Sequence, residues 1–362
     1  MKKERNWGVD LLRILSMLMI LFLHVLGRGG ILTHATKLST QYEVAWLLET
    51  ASYCAVNCYA LISGYVGVRS HFRFSNLLQL WLQVVTYSFG ITVITGWISP
   101  DKVATKDYIH ALFPVSHQYY WYFTAYFCLF FFLPVLNHLL NTLSQRKLLL
   151  LMLSLVFLFS ILPSIFNRDI FYTKNGYSAC WLIVLYLIGG YCRRFDPLKN
   201  WSGLFSLAIY ALCVLASWEI KWALESVEHA YADVLVRYTS PTILLAAVAL
   251  LNGCSKLRVS RIPAAVIRFL APLAFGVYLI HVHPLPWKYV MNKAFVAFAE
   301  YSPLKLVGAV IVAVLALYLL CTVIEYIRHL VFRLLRIPVL CDKLEQWMRS
   351  VYSRLCARLH IE

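Results

Sequence analysis

The sequence predicts an all-α, polytopic integral membrane protein with about ten transmembrane helices and both termini in the cytoplasm. Three observations predict it. Of its 362 residues, 61% are hydrophobic and 14% charged, with a mean hydropathy of +0.69. Soluble globular domains do not share that composition. Ten apolar segments recur along the chain, at approximately 8–27, 44–66, 76–97, 119–140, 148–166, 178–195, 202–219, 233–252, 267–285 and 304–331. Their lengths suit a hydrocarbon layer about 30 Å thick. With the N-terminus placed in the cytoplasm, the loops on that side carry about twice as many Lys and Arg as the opposite loops, the asymmetry that orients membrane proteins. An even number of spans returns the C-terminus to the same side.

That distribution explains the net charge of +16 without nucleic acid. The cytoplasmic set includes Lys2 and Lys3, whereas Asp101, Asp107, Glu219, Glu225 and Glu228 fall on the outer side. No Walker loop or GxGxxG is present, so nothing points to nucleotide hydrolysis. The ten cysteines lack zinc-type spacing, no metal site is expected, and Cys54 and Cys58 are one helical turn apart. They read as small buried apolar residues. The loops are short, which places any chemistry in the membrane or at its edge.

The first segment follows Met1-Lys2-Lys3 and imitates a signal peptide. It holds Asp10 and Arg13 and lacks a small-residue cleavage site, so it is read as a retained helix. It also carries His24. Eleven positions at about 100° each bring Arg13 and His24 onto one face, about 16 Å apart along the axis, with Asp10 near the same line. Ionisable groups are costly in hydrocarbon, so this stripe marks a protein-lined cavity. Arg13, near the cytoplasmic surface, suits a phosphate-bearing ligand. Asp10, one turn earlier, is placed to pair with it. His24 lies deeper, where a neutral imidazole takes a proton from a hydroxyl.

The second segment ends NCYALISGYVGVRSHFR. Asn57 is a buried amide, and Ser63, Gly64 and Gly67 permit close helix approach. Arg69 and Arg73 follow and, if spans one and two are neighbours, complete a basic mouth with Arg13. The third, fifth, sixth and seventh segments are read as spans from their apolarity. The fourth opens HQYYWYFTAYF. His117, Tyr119, Tyr120, Trp121 and Tyr122 form either an aromatic belt or a stacking floor for a sugar ring or lipid headgroup.

In the eighth segment Asp233 and Arg237 stand one helical turn apart before Pro241. They read as a helical ion pair, with contact to an anionic acceptor as the alternative. The ninth contains AFGVYLIHVHP, in which Tyr278 and His281 share a surface and His283 reads as a loop residue near the outer surface. Glu49 and Glu325 lie in or near spans without an assigned role. After the tenth segment, Leu344, Trp347, Met348, Val351, Leu355 and Leu359 alternate with Lys343, Arg349, Arg354 and Arg358. That pattern is an amphipathic helix on the inner leaflet. The chain thus divides into a membrane domain, 1–335, and a cytoplasmic tail, 336–362.

The stretch RNWGVDLLRILSMLMILFLH, with Arg13 and His24 separated by ten residues, resembles the signature of acyltransferase family three. NCYALISGYV, the Trp121-Tyr122 pair and FGVYLIHVHP continue the resemblance in order along the chain. The family comprises membrane O-acyltransferases of bacterial surface polysaccharides. The resemblance implies a multi-pass protein of a bacterial cell membrane. It implies acyl transfer from acetyl-CoA, a co-substrate rather than a permanently bound cofactor, to a hydroxyl of a cell-surface or polyprenyl-linked glycan. By position Arg13 becomes a donor-binding residue and His24 the catalytic histidine. Arg69 and Arg73 only approximate the family's basic pair. Asp10, Asn57, Tyr278 and His281 are supporting candidates, and Trp121, Tyr122 and Arg237 lie on the acceptor side. Two other functions are compatible with the residues: a transporter using Arg13 and His24 as a polar relay, and an accessory protein in which the stripe only packs helices.

Overall fold

The computed structural model describes residues 5–70 and 72–359, with side chains as far as Leu355. Lys2 and Lys3 of the charge pattern, and the side chains of Arg358 and Leu359 in the tail pattern, lie outside the described residues. Every regular element among the described residues is helical.

Helix α1 (Trp7–Leu23) continues through a wider π turn, His24–Arg28, towards α2 (Ile31–His34). Then come α3 (Thr40–Ser52), α4 (Ala55–Gly67), α5 (Phe74–Ile98), α6 (Thr105–Leu112) and α7 (Trp121–Thr142). Helix α8 (Gln145–Val156) passes through a π turn into α9 (Leu162–Ile165), followed by α10 (Ala179–Phe195), α11 (Gly203–Ser226) and α12 (Pro241–Ser255). Helices α13 (Arg261–Leu270) and α14 (Ala274–His281) flank a 3-10 turn, and α15 (Pro284–Pro286), α16 (Pro303–Leu334) and α17 (Ile337–Leu359) complete the chain. Seven stretches among the described residues are long and apolar enough to cross a membrane: Trp7–His34, α5, α7, Gln145–Ile165, α11, Arg261–His281 and α16. The α3–α4 pair, α10 and α12 are apolar but shorter.

Helix starts follow side-chain caps. The oxygens of Asn6, Ser39, Ser144, Ser178 and Ser202 accept backbone N–H groups in the first turns of α1, α3, α8, α10 and α11, satisfying donors that have no partner inside the helix.

Three spans differ from the sequence expectation. The second is broken at Tyr53–Cys54 into α3 and α4, and the carbonyl of Ala51 at the break is taken up by the Tyr210 hydroxyl at 2.7 Å. The eighth loses its first half. Residues 233–239 form turns, and the helix starts only at Pro241, because proline suits the first helical position and cannot continue a helix preceding it. Ser240 closes the turn by accepting from the Arg237 N–H and donating to the Val234 carbonyl. The ninth begins earlier, at Arg261, and is broken at Ala271–Leu273 around Pro272.

Helix α4 is buried over most of its length. Its approach to α10 depends on missing side chains. A Cβ on Gly64 would stand 2.0 Å from the Tyr186 carbonyl oxygen, and one on Gly189 would stand 2.1 Å from that of Leu61. Peripheral helices turn bulky apolar residues outward, among them Leu150, Leu204 and Val312, as hydrocarbon-facing surfaces require. Helix α17 folds back on the start of α5. The Arg73 guanidinium meets Asp342 at 2.7 Å, and the Ser75 N–H donates to Glu345 at 3.0 Å.

Candidate active site

His24 opens the π turn that ends α1, and such turns recur at functional sites because they re-aim a side chain without ending the helix. The turn is held from outside: the Lys293 and Phe295 N–H groups donate to the carbonyls of Arg28 and Gly29 at 3.0 and 2.9 Å. The His24 imidazole meets two residues that sequence places far away. Its Nδ1 lies 2.8 Å from His281 Nε2, and the edge-on ring of Trp287 lies 4.8 Å away between centroids.

The hydrogen-bond network assigns the tautomers. His281 Nδ1 is 2.6 Å from the Val277 carbonyl oxygen. A carbonyl only accepts, so Nδ1 of His281 carries the proton. In the neutral ring its Nε2 is then an acceptor, and His24 Nδ1–H donates to it. The proton of His24 is therefore on Nδ1, and its Nε2 lone pair is open, with no partner among the described residues.

His24 lines a tight cavity with Met17, Tyr59, Trp121, Tyr122, Tyr238 and Tyr278 among its walls. The aromatic residues come from separate helices and one loop, and they converge rather than forming a belt. Tyr120 and Tyr122 are buried. The Tyr59 and Tyr122 hydroxyls are buried with no hydrogen-bond partner among the described residues. Trp121 continues the floor, 4.6 Å from Tyr177 and stacked 6.2 Å from Tyr238. Flat aromatic faces beside hydroxyl donors suit a sugar ring or an acyl chain.

About three turns down α1, Arg13 lines a separate, more open cavity with Asp10, Tyr65, Arg69 and Arg193. Asp10 bridges Arg13, at 3.1 Å, and Arg5. This arrangement leaves two guanidinium groups, Arg13 and Arg5, sharing one carboxylate, so the mouth keeps positive charge. Arg193 packs its guanidinium over the Tyr65 ring and donates to the Tyr65 hydroxyl at 3.1 Å. The sequence counted Arg193 only as a loop charge. What would have found it is its place one helical turn after Gly189, where α10 presses against α4.

The other candidates are dispersed. Arg73 points away from the mouth and pairs with Asp342, because α17 folds back over α5. Asn57 spans α10 and the loop before α12, accepting from Trp181 Nε1 at 3.0 Å and donating to the Tyr238 carbonyl at 2.8 Å. It holds the cavity wall. Asp233 and Arg237 form no ion pair, since they stand in turns rather than on a helix. Asp233 meets Lys221 at 3.0 Å and Arg237 donates to Asn167. Arg237 does not line the His24 cavity; its neighbour Tyr238 does. His283 stands in the bend between α14 and α15, as expected of a loop residue, but it is fully buried. Its Nε2 donates to the Ser88 carbonyl at 3.0 Å and its Nδ1 accepts from the Leu285 N–H at 3.2 Å, so both nitrogens are committed to structure. Glu325 is buried between Arg328, Tyr87 and Gln83.

No curated protein and no solved structure matches the chain. A family model described as an acyltransferase domain matches residues 6–340, from the cap of α1 into the start of α17. The match spans the His24 cavity and all of the Arg13 mouth except Arg5, and the chain belongs to acyltransferase family three.

Proposed function

We propose that this protein moves an acetyl group from acetyl-CoA, entering from the cytoplasm, to a hydroxyl of a cell-surface or lipid-linked glycan in a bacterial cell membrane. The observation that carries the reading is the open Nε2 of His24, held by the His281–Val277 relay and facing an aromatic cavity. Reading the α3–α4 pair, α10 and α12 as spans too gives ten crossings with the termini on one side, and the Lys and Arg bias of the loops favours the cytoplasm for that side and for the Arg13 mouth.

Arg13, Arg69 and Arg193 then face the phosphates of the donor, as guanidinium groups favour. The thioester arm extends along the α1 face towards His24. His24 Nε2 takes the proton of the acceptor hydroxyl as its oxygen attacks the thioester carbonyl. The new C–O bond forms, the C–S bond breaks, and the imidazolium returns its proton to the departing thiolate. His281 favours this base role over a transient acyl carrier. By accepting from Nδ1 it stabilises the imidazolium that proton abstraction creates, much as a carboxylate orients histidine in hydrolases. The Tyr59 and Tyr122 hydroxyls are placed to hydrogen-bond the acceptor or the carbonyl oxygen.

The test is turnover of labelled acetyl-CoA with a glycan extract by protein in lipid nanodiscs, alongside the Arg13→Ala and His24→Ala variants. Donor binding weakened by the first and turnover lost in the second support the reading. Donor-independent, proton-coupled uptake of a solute into liposomes by a protein that binds no acyl-CoA overturns it in favour of transport.

A further inference from the structure

Where the chain enters α5 and leaves α16, a further open cavity lies between α5, α16 and the start of α17. It shares no lining residue with the mouth at Arg13, and the acyl-transfer chemistry leaves it unexplained. Its α5 wall carries Asn76 and Gln79, one turn apart near the start of the helix, the first exposed and the second half-buried. Neither side-chain amide has a hydrogen-bond partner among the described residues. The facing wall carries Arg333 and Arg336, which form no ion pair among the described residues, whereas Arg328 above them is neutralised by Glu325 at 2.6 Å.

The geometry of the α16–α17 joint creates this arrangement. Arg336 adopts a left-handed backbone conformation, φ 53°, which turns the chain sharply from α16 into α17 and sets its guanidinium on the cavity wall. The flanks are apolar and open: Leu334 is 82% exposed, and Leu335, Val339 and Leu340 are also exposed. The cavity thus combines two uncompensated cations and two amide donors with an apolar skirt at the edge of the bundle. A soluble anion would satisfy the first feature and gain nothing from the second. An amphiphile with a phosphate head and acyl tails satisfies both, and basic pockets between helices at a membrane surface bind such headgroups.

We propose that the cavity between α5, α16 and α17 binds the headgroup phosphate of an anionic glycerophospholipid, with Arg333, Arg336, Asn76 and Gln79 as its donors and the Leu334–Leu340 surface against its acyl chains. The site is independent of the acyl-transfer reading and stands or falls separately.

The experiment is native mass spectrometry of protein released from nanodiscs of phosphatidylglycerol mixed with phosphatidylcholine. The wild type is expected to retain phosphatidylglycerol preferentially. The Arg333→Gln/Arg336→Gln double variant should lose that retention by about tenfold or more, with its elution volume and melting temperature unchanged. Gln79→Leu, which keeps both charges, should weaken it less. Equal retention of phosphatidylglycerol by wild type and double variant overturns the proposal, as does equal retention of the two lipids by the wild type. Displacement of the lipid by millimolar inorganic phosphate also overturns it, because the ligand is then a free anion.

Discussion

His24 and His281 are 257 positions apart and share a hydrogen bond of 2.8 Å, and the second ring is anchored 2.6 Å from the Val277 carbonyl. The bond dictates which nitrogen of His24 is basic, and it joins the end of α1 to the end of α14. Were His281 absent, His24 would be free to turn and to place its proton on either nitrogen.

It follows that His281→Ala should lower kcat by about tenfold to a hundredfold, the loss usual when the partner that orients a functional imidazole is removed. Donor KM should be unchanged. His24→Ala should lose more, about a hundredfold to ten-thousandfold. Steady-state kinetics in nanodiscs decide it. A His281 variant that changes only KM would contradict the orienting role.

Removal of either guanidinium at the mouth should act on the donor instead. Arg13→Ala and Arg193→Ala should each raise the donor KM by about tenfold to a hundredfold, the equivalent of one charge-assisted hydrogen bond, with kcat at saturation little changed. Titration of acetyl-CoA against each variant reads this directly. Arg73→Ala should leave the donor KM alone, because Arg73 faces Asp342. A large KM effect from Arg73 would mean that the donor enters elsewhere.

The contact between α4 and α10 yields a stability prediction. A methyl on Gly64 or Gly189 would stand within 2.1 Å of a backbone carbonyl oxygen, and backbone cannot step aside as a side-chain tip does. Gly64→Ala and Gly189→Ala should each destabilise the fold by about 1–3 kcal/mol, seen as a lower melting temperature in detergent. Gly308→Ala, with open space around its Cβ position, is the control and should have no such effect.

The docking of α17 should resist acid. Burial alone would push the Glu345 carboxyl up. The Arg349 guanidinium and the Ser75 N–H outweigh it and hold the group at about 2. A carboxyl depressed from an ordinary value of about 4.3 contributes stability above that value, and the contribution is lost as pH falls through the depressed one. Trp347 fluorescence or limited proteolysis should therefore report α17 docked at pH 5 and released only towards pH 2. Glu345→Gln should loosen it already at neutral pH. Identical profiles for the two proteins from pH 7 to 3 would remove Glu345 from that role.

The phase of Arg13 and His24 is helical arithmetic, so the stripe on α1 is legible in the order of residues alone. Tyr278 and His281 on one surface follow likewise from their spacing. The error at Asp233 and Arg237 came from extending a helix across Pro241, where turn chemistry won over apolarity. The loop position of His283 before Pro284 was legible, but its burial was not, because the Ser88 carbonyl that holds its ring comes from a helix nearly two hundred positions away.

The sequence by itself determined the class and the chemistry-bearing types: an apolar helical chain, a stripe of ionisable groups in its first span, and basic residues gathered at one end. Those properties are local, set by composition and by the repeat of the helix. Only the tertiary structure decided which residues come together: that His24 meets His281, that Arg193 joins Arg13 at the mouth while Arg73 is drawn off by α17, and that Tyr59 and Tyr122, whose hydroxyls are unpartnered among the described residues, line one cavity. These pairings join segments up to 269 positions apart, and they depend on how closely the helices pack and where each one breaks, neither of which is encoded in any single stretch of chain.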